Sequence, residues 1–354
     1  IMLASYSIAQ LLTAPILGRI SDSKGRRVVL LLSTLLSTVS YLIYGHMETT
    51  VGIIVSRALS GIAAANLGVA FAYVADTTDP EHRSRNLGML GAAFGIGFIF
   101  GPVIGSGLLH IGHDRPLLLG NVAAVLCAIN FLFIWFYVPE SLPKDHVPSD
   151  RNLIGDLKVA LSTPGVGLFM LMFFAVQLCF TNLETTYFRL LDAPNWIYHF
   201  ADPKRDGAMV LACVGVVGAF VQGWLIRVVT RKYSDLHILR WSYLLFVPSF
   251  VLVPFTPLWF PGILVIIGLG VAQGLSNPTL NAMISKAAPN EMRGGVFGLT
   301  QALGATARAL GPLMSSPLFA IKPYAPYIAG GTIALFPTYA VWFLVKQRIT
   351  LLES

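Results

Sequence analysis

The chain has 354 residues, of which 55% are hydrophobic and only 12% charged, and its mean hydropathy is +0.71. Soluble domains average about 45–50% apolar and about 25% charged residues, so this composition excludes an ordinary soluble enzyme or binding module and indicates a polytopic membrane protein. The net charge of +7 does not call for nucleic acid, because the basic residues sit in turns between apolar runs, where they act as orientation signals.

In chain order the apolar runs cover 1–18, 28–46, 51–74, 87–110, 116–138, 165–190, 207–228, 236–256, 262–285, 295–319 and 325–345. Each is long enough to cross a bilayer as a helix. Ile1 opens inside the first run with no basic leader or cleavage site, so that run is read as a span and not as a signal peptide. Pro139 closes the fifth run, and the polar stretch 139–164 holds Lys144, Asp145, Asp150, Arg151, Asp156 and Lys158. It divides the chain into an N-terminal bundle, 1–138, and a C-terminal bundle, 165–354, joined by a cytoplasmic connector. Cys127, Cys179 and Cys213 all lie in apolar runs, without metal-ligand or disulfide spacing.

Alternate turns and the tail carry most of the basic residues, among them Arg19, Lys24, Arg26, Arg27, Arg83, Arg85, Arg231, Lys232 and Arg293. The opposite side has Arg115, Arg189, Lys204, Arg205 and Lys322. That asymmetry places the first set in the cytoplasm. The first turn, from Gly18 to Arg27, is the most distinctive. Gly18 and Gly25 permit a sharp bend and close helix approach, and Asp22 can accept a charge-assisted hydrogen bond from an arginine. The pattern Gly18-x-Ile20-x-Asp22-x-x-Gly25-Arg26-Arg27 resembles the loop between spans two and three of the major facilitator superfamily. On that numbering the runs are spans two to twelve and the first span is missing from the chain.

A repeat agrees with the resemblance. Glu81-x-Arg83, Gly88 and Gly101-Pro102 recur as Glu291-x-Arg293, Gly298 and Gly311-Pro312, offset by 210 residues. Two parallel six-span halves are how major facilitator transporters are built, with substrate held between them near the midplane.

Several residues stand out. Arg57 lies about 9 Å into span four at a rise of about 1.5 Å per residue; an intramembrane charge marks function, or the side chain snorkels outward. It resembles the fourth-span arginine of proton-linked branches of the superfamily, which is associated with proton coupling. Asn66, further along, lines a cavity or bonds its own backbone. The resemblance makes Asp22, Arg26 and Asp76 a cytoplasmic latch, together with Gly18, Gly25 and Arg27; otherwise they form an exposed ion pair. In span five, Gly97, Gly101 and Gly105 recur every fourth residue, a pattern that lets a neighbouring helix approach, and Pro102 favours a bend. Gly97-x-x-x-Gly101-Pro102-x-x-Gly105 resembles the fifth-span motif of drug:proton antiporters, with Ser106 where that family has a further glycine.

Span seven aligns Gln177, Thr181 and Glu184 on one face. A desolvated Glu184 can load and release a proton, with Arg308 of span eleven as partner; a static pair or a headgroup-level glutamate is the alternative. Gln273, Asn277 and Asn281 in span ten form an amide stripe that lipid would not tolerate, so it faces a cavity or another helix. Phrases such as Asn182-Leu183-Glu184, Gln222-Gly223 and Ala307-Arg308-Ala309-Leu310-Gly311-Pro312 are similar to tetracycline-resistance antiporters and their tetracycline-transporter-like relatives.

The expected protein is therefore an all-α membrane protein of the major facilitator fold, with two pseudo-symmetric helical bundles and eleven of twelve spans present. It is a multi-pass monomer and not an enzyme: no P-loop, triad or metal-ligand spacing is present, and no cofactor or metal is expected. The expected function is alternating-access antiport of an amphipathic organic solute or drug against protons. Glu184, Arg57 and Arg308 are the coupling candidates, and Gln177, Asn66, Gln273, Asn277 and Asn281 line the cavity. A proton-independent facilitator or organic-anion exchanger, and a transport-inactive sorting or interaction protein on the same scaffold, remain open.

Overall fold

The structure is a computed structural model that describes residues 2–47, 49–112, 116–142, 155, 158, 160, 162–163, 165–191, 215–256, 260–289 and 292–353. Among these residues there is no β-strand. The elements are α1 (Met2–Lys24), α2 (Arg26–His46), α3 (Thr50–Ala64), α4 (Leu67–Asp76), α5 (Arg83–Ile111), α6 (Pro116–Tyr137) and α7 (Val166–Leu191). They continue with α8 (Gly215–Val229), α9 (Asp235–Leu252), α10 (Phe260–Ala287), α11 (Arg293–Ile321) and α12 (Ala325–Glu353). A chain of this composition goes helical throughout because lipid offers no partner for a free backbone N–H or C=O.

Seven described segments are long and apolar enough to cross a membrane: α2, α3 with α4, α6, the Val166–Tyr187 part of α7, α9 with its short extension to Phe255, most of α10, and α12 as far as Lys346. The protein is thus an integral multi-pass membrane protein. Helices α1, α5 and α11 occupy the places expected of three more spans. The start of span eight, including Cys213, and most of the connector 139–164 lie outside the described residues.

One expected span differs in form. The run 51–74 is not a continuous helix but α3 and α4, separated at Ala65 and Asn66. There the ladder tightens: Asn66 N–H bonds Ala63 O at 3.2 Å, three residues back, where an α-helix bonds four back. Both flanks are pinned, since a Cβ at Gly68 would lie 3.0 Å from the Phe297 backbone and one at Gly61 would meet Ala9 Cβ at 3.0 Å.

The chain divides into two compact units. The first comprises Ile1–Pro80, Phe100–Met170 and Ile284–Ala309. Its core includes Val29, Leu30, Val69 and Ile134, with a seam of small residues, Ala14, Ala65 and Ala302, where α1, the α3–α4 junction and α11 meet. Phe71 stacks on Phe297 with ring centroids 5.8 Å apart. At the crossing of α2 and α6, Gly45 and Gly120 face each other so closely that a Cβ on Gly120 would come 2.5 Å from the Gly45 Cα.

The second unit comprises Glu81–Ile99, Leu171–Met283 and Leu310–Ser354. Its core joins Cys179, Leu183 and Tyr187 of α7 to Phe246 and Phe250 of α9 and Tyr327 of α12. Cys179 Sγ donates to Gly330 O at 3.0 Å, the packing role its apolar setting suggests. Within α8, Val221–Leu225 forms a π-helical turn carrying Gln222 and Gly223, a local widening often found at functional sites. Large apolar side chains such as Leu126, Phe133 and Phe136 of α6 point outward, as expected of a lipid-facing surface.

Candidate functional site

The charged turn becomes a built structure in the first unit. Gly25, between α1 and α2, has φ 103°, in the left-handed region that favours glycine. A side chain there would also run into the Glu140 carboxylate. The reversal brings Arg26 back under the end of α1, where it is fully buried. Arg26 Nη1 pairs with Asp22 Oδ1 at 2.5 Å, and Nε with Asp76 Oδ2 at 3.1 Å. It also donates to Ser21 Oγ at 2.7 Å. Arg293, at the start of α11, binds the other oxygen of Asp76 at 2.6 Å. Two carboxylates and two guanidinium groups thus share one nearly dry site.

Asp22 does more than pair. Its two oxygens accept the backbone N–H groups of Gly294 and Gly295 at 2.8 and 2.5 Å. These amides belong to the first turn of α11, which has no intrahelical acceptors for them, and a carboxylate there is stabilised by the helix dipole. Gly294 has no room for a side chain: a Cβ would lie 2.6 Å from Asp22 Oδ1. Gly18 and Gly298 carry the same approach up the helices, since a Cβ on Gly18 would meet the Gly298 Cα at 3.1 Å.

A second carboxylate plays the matching part at α2. Glu140 accepts Arg26 N–H at 2.8 Å and Arg27 N–H at 3.1 Å, and it also holds its own turn through Ser141 and Leu142 N–H. Arg27 reaches over to donate to the Trp135 carbonyl. Gly18, Asp22, Gly25, Arg26, Arg27 and Asp76 thus lie in one region of the first unit, together with Glu140, Arg293, Gly294 and Gly295, which sequence alone did not place there. Arg293 stood out in sequence as part of the repeat and of the basic set, not as a partner of Asp76. The signal for Glu140 was its position directly after Pro139 at a helix end.

Further along the same unit lies a second polar group. Arg57 places its guanidinium 4.7 Å from the centre of the Tyr44 ring, a cation–π arrangement. Arg308 donates to Gln10 Oε1 at 2.9 Å, and Gln10 Nε2 in turn donates to Ala64 O at 3.3 Å, beside the α3–α4 break. Asn66 sits half-buried in that break. In the second unit, Glu184 is exposed, so it lacks the burial within the protein that the expectation of a desolvated carboxylate assumed, and Gln177 is half-buried. Thr181, expected on the same face, is buried instead. On α10, Asn281 is fully buried and its amide donates to Asn277 Oδ1 at 2.8 Å and Asn277 O at 2.9 Å. Gln273 is half-buried, with Oε1 buried and unpaired among the described residues.

The glycine stripe of α5 behaves differently from expectation. Among the described residues, nothing comes within 4 Å of a Cβ built at Gly97 or Gly101, and Gly105 meets only Leu119 Cδ1 at 4.0 Å. Four-residue spacing selects a helix face but cannot say whether another helix covers it, and among the described residues none covers this face at Gly97 or Gly101. The side chains of Pro102 and Ser106 lie outside the described set.

Known proteins resemble the chain over nearly its whole length. A profile of the Major Facilitator Superfamily matches residues 1–312. The chain is 31% identical to the class C tetracycline resistance protein of Escherichia coli over 330 residues, covering 90% of this chain and 79% of that one. It is 28% identical to Multidrug resistance protein 1 of Bacillus subtilis, covering 94% and 84%. Among solved structures, the crystal structure of the human organic anion transporter MFSD10 (TETRAN) superposes with a TM-score of 0.82 at 25% identity, covering 96% of this chain and 83% of that one.

Proposed function

The chain belongs to the major facilitator superfamily, whose members are transporters and not enzymes, and we propose that it exchanges an amphipathic organic solute for protons by alternating access. The observation that carries this reading is the buried Asp22–Arg26–Asp76–Arg293 cluster on the N-terminus of α11. It ties residues from the first half of the sequence to one helix of the second half through polar contacts. Such a cluster closes the cytoplasmic side in one state and parts in the other, as the bundles 1–138 and 165–354 rock about a central site.

Glu184, Arg57 and Arg308 are the groups we assign to proton coupling. Gln177, Asn66, Gln273, Asn277 and Asn281 supply the polar surface of the solute cavity. The face at Gly97 and Gly101, uncovered among the described residues, suits a helix that changes neighbours during the cycle. Relatives named for tetracycline and multidrug resistance favour a drug-like solute. In proteoliposomes, Glu184→Gln should abolish flux driven by a proton gradient while counterflow and folding persist. Unchanged driven flux would remove Glu184 as the coupler.

A second reading has its own support. Arg57 and Arg308 stand with the aromatic ring of Tyr44 and the amide of Gln10 in one unit, a setting that suits an aromatic anion, and one structural relative is described as an organic anion transporter. Flux of an organic anion that ignores an imposed pH gradient would select this reading.

A further inference from the structure

A cavity of ≈ 330 Å³ opens between α9 and α12 in the second unit, lined by Arg240, Leu244, Leu335, Thr338, Tyr339 and Trp342. That volume is at the lower end for small-molecule sites. Its lining is mostly apolar; the polar groups are those of Arg240 and Thr338, the Tyr339 hydroxyl and the Trp342 indole N–H, and the Thr338 hydroxyl is already committed to Ala334 O at 2.8 Å. Arg240 differs: its Nε is buried and has no hydrogen-bond partner among the described residues. The Trp241 ring lies beside its guanidinium, but at a distant 5.9 Å. An unsatisfied buried donor on a charged group is costly.

Depth identifies the occupant. Helix α9 starts at Asp235, after a turn whose Arg231 and Lys232 assign it to the cytoplasmic side, so Arg240 lies about 7.5 Å above its start and Leu244 about 13 Å above, at about 1.5 Å per residue. Helix α12 runs the opposite way and brings Lys346 to the same end, with Nζ 5.5 Å from the Trp342 ring centre. The charged end of the groove therefore lies at the level of the cytoplasmic headgroups, and the Leu244–Leu335 end points into hydrocarbon. Arg231 and Lys232 add positive charge in the turn before α9; Tyr233, Asp235 and His237 are the other titratable groups there, and His237 Nδ1 is held by Ser234 Oγ at 2.8 Å.

We propose that this groove is a retained site for an anionic glycerophospholipid of the cytoplasmic leaflet, with its phosphate on Arg240 and one acyl chain between Leu244 and Leu335. A free phosphate would leave the apolar walls uncovered, and a neutral lipid would leave the guanidinium field unmatched. The site is independent of which solute the protein carries.

The test is native mass spectrometry of the full chain, stripped of lipid in detergent and titrated with phosphatidylglycerol or phosphatidylcholine of the same acyl composition. A basic side chain facing an anionic leaflet corresponds to about a fivefold preference. Phosphatidylglycerol should therefore bind about fivefold more tightly, and Arg240→Gln should remove that preference while Arg240→Lys keeps it. Leu244→Trp, which fills the groove and leaves the charge in place, should weaken both lipids; it decides the matter if Arg240→Gln yields no folded protein. Equal binding of the two lipids by the parent, an undiminished preference in Arg240→Gln, unchanged binding in Leu244→Trp, or displacement of the lipid by millimolar inorganic phosphate would each overturn the proposal.

Discussion

Replacing Asp22 by asparagine keeps the shape of the side chain and removes its charge. In the structure that carboxylate holds Arg26 at 2.5 Å and two backbone N–H groups of α11 at 2.8 and 2.5 Å. The substituted amide offers one acceptor oxygen where there were two, and it leaves Asp76 facing both Arg26 and Arg293. Removing one partner of a buried ion pair costs about 3–5 kcal/mol. Because the amide retains one bond and Arg26 retains Asp76, about 2–3 kcal/mol is expected from Asp22→Asn. That shifts the closed-to-open equilibrium of the cytoplasmic side by about 30- to 140-fold. The reporter is a cysteine introduced in place of Ala72, fully buried on α4, in a background with Cys127, Cys179 and Cys213 changed to serine. Its alkylation by an impermeant maleimide applied to the cytoplasmic face should accelerate by that factor. A rate within about twofold of the parent would refute the reasoning, because the cluster would then contribute nothing to closure.

Other substitutions probe the same account at different points. Gly298→Ala places a methyl 3.1 Å from the Pro15 Cα and closer still to the Ala14 carbonyl, so it should cost about 1–3 kcal/mol and lower the melting temperature in detergent. Gly101→Ala meets nothing within 4 Å and should leave that temperature unchanged or slightly higher; equal effects of the two changes would contradict the packing described. Glu140→Ala removes the acceptor for the first two N–H groups of α2. It should cost about 1 kcal/mol, as loss of a helix cap does, seen as a lower melting temperature. Gln10→Leu leaves Arg308 without its acceptor; solute flux should fall while the protein remains monodisperse, and full flux would separate this pair from the transport path.

Much of the fold was legible because lipid imposes a strong rule. Long apolar runs must be helical, and their turns collect Lys and Arg, so boundaries such as 116–138 against Pro116–Tyr137 agree closely. The grouping of Asp22, Arg26 and Asp76 was legible only through the resemblance to the family, since Asp76 lies far from the glycine turn in sequence. What sequence could not supply was the partner across long separations. Nothing near Asp22 in sequence announces that it binds amides of Gly294 and Gly295, since a backbone donor carries no side-chain signature. The α3–α4 break was hidden for a related reason: Ala65 and Asn66 are compatible with a straight helix, and the turn depends on what Gly61 and Gly68 pack against. The Gly97 and Gly101 stripe shows the limit of periodicity, which names a face and not its neighbour.

The central claim is that this chain carries an organic solute across a bilayer against protons, and vectorial flux measures it directly. Full chain reconstituted in proteoliposomes should drive a fluorescent amphipathic solute, drawn from a cationic, zwitterionic and anionic set, toward the acidic compartment. That movement should carry protons the opposite way and collapse when a protonophore is added. If no member of the set crosses faster than through protein-free vesicles, with or without the gradient, the account is contradicted.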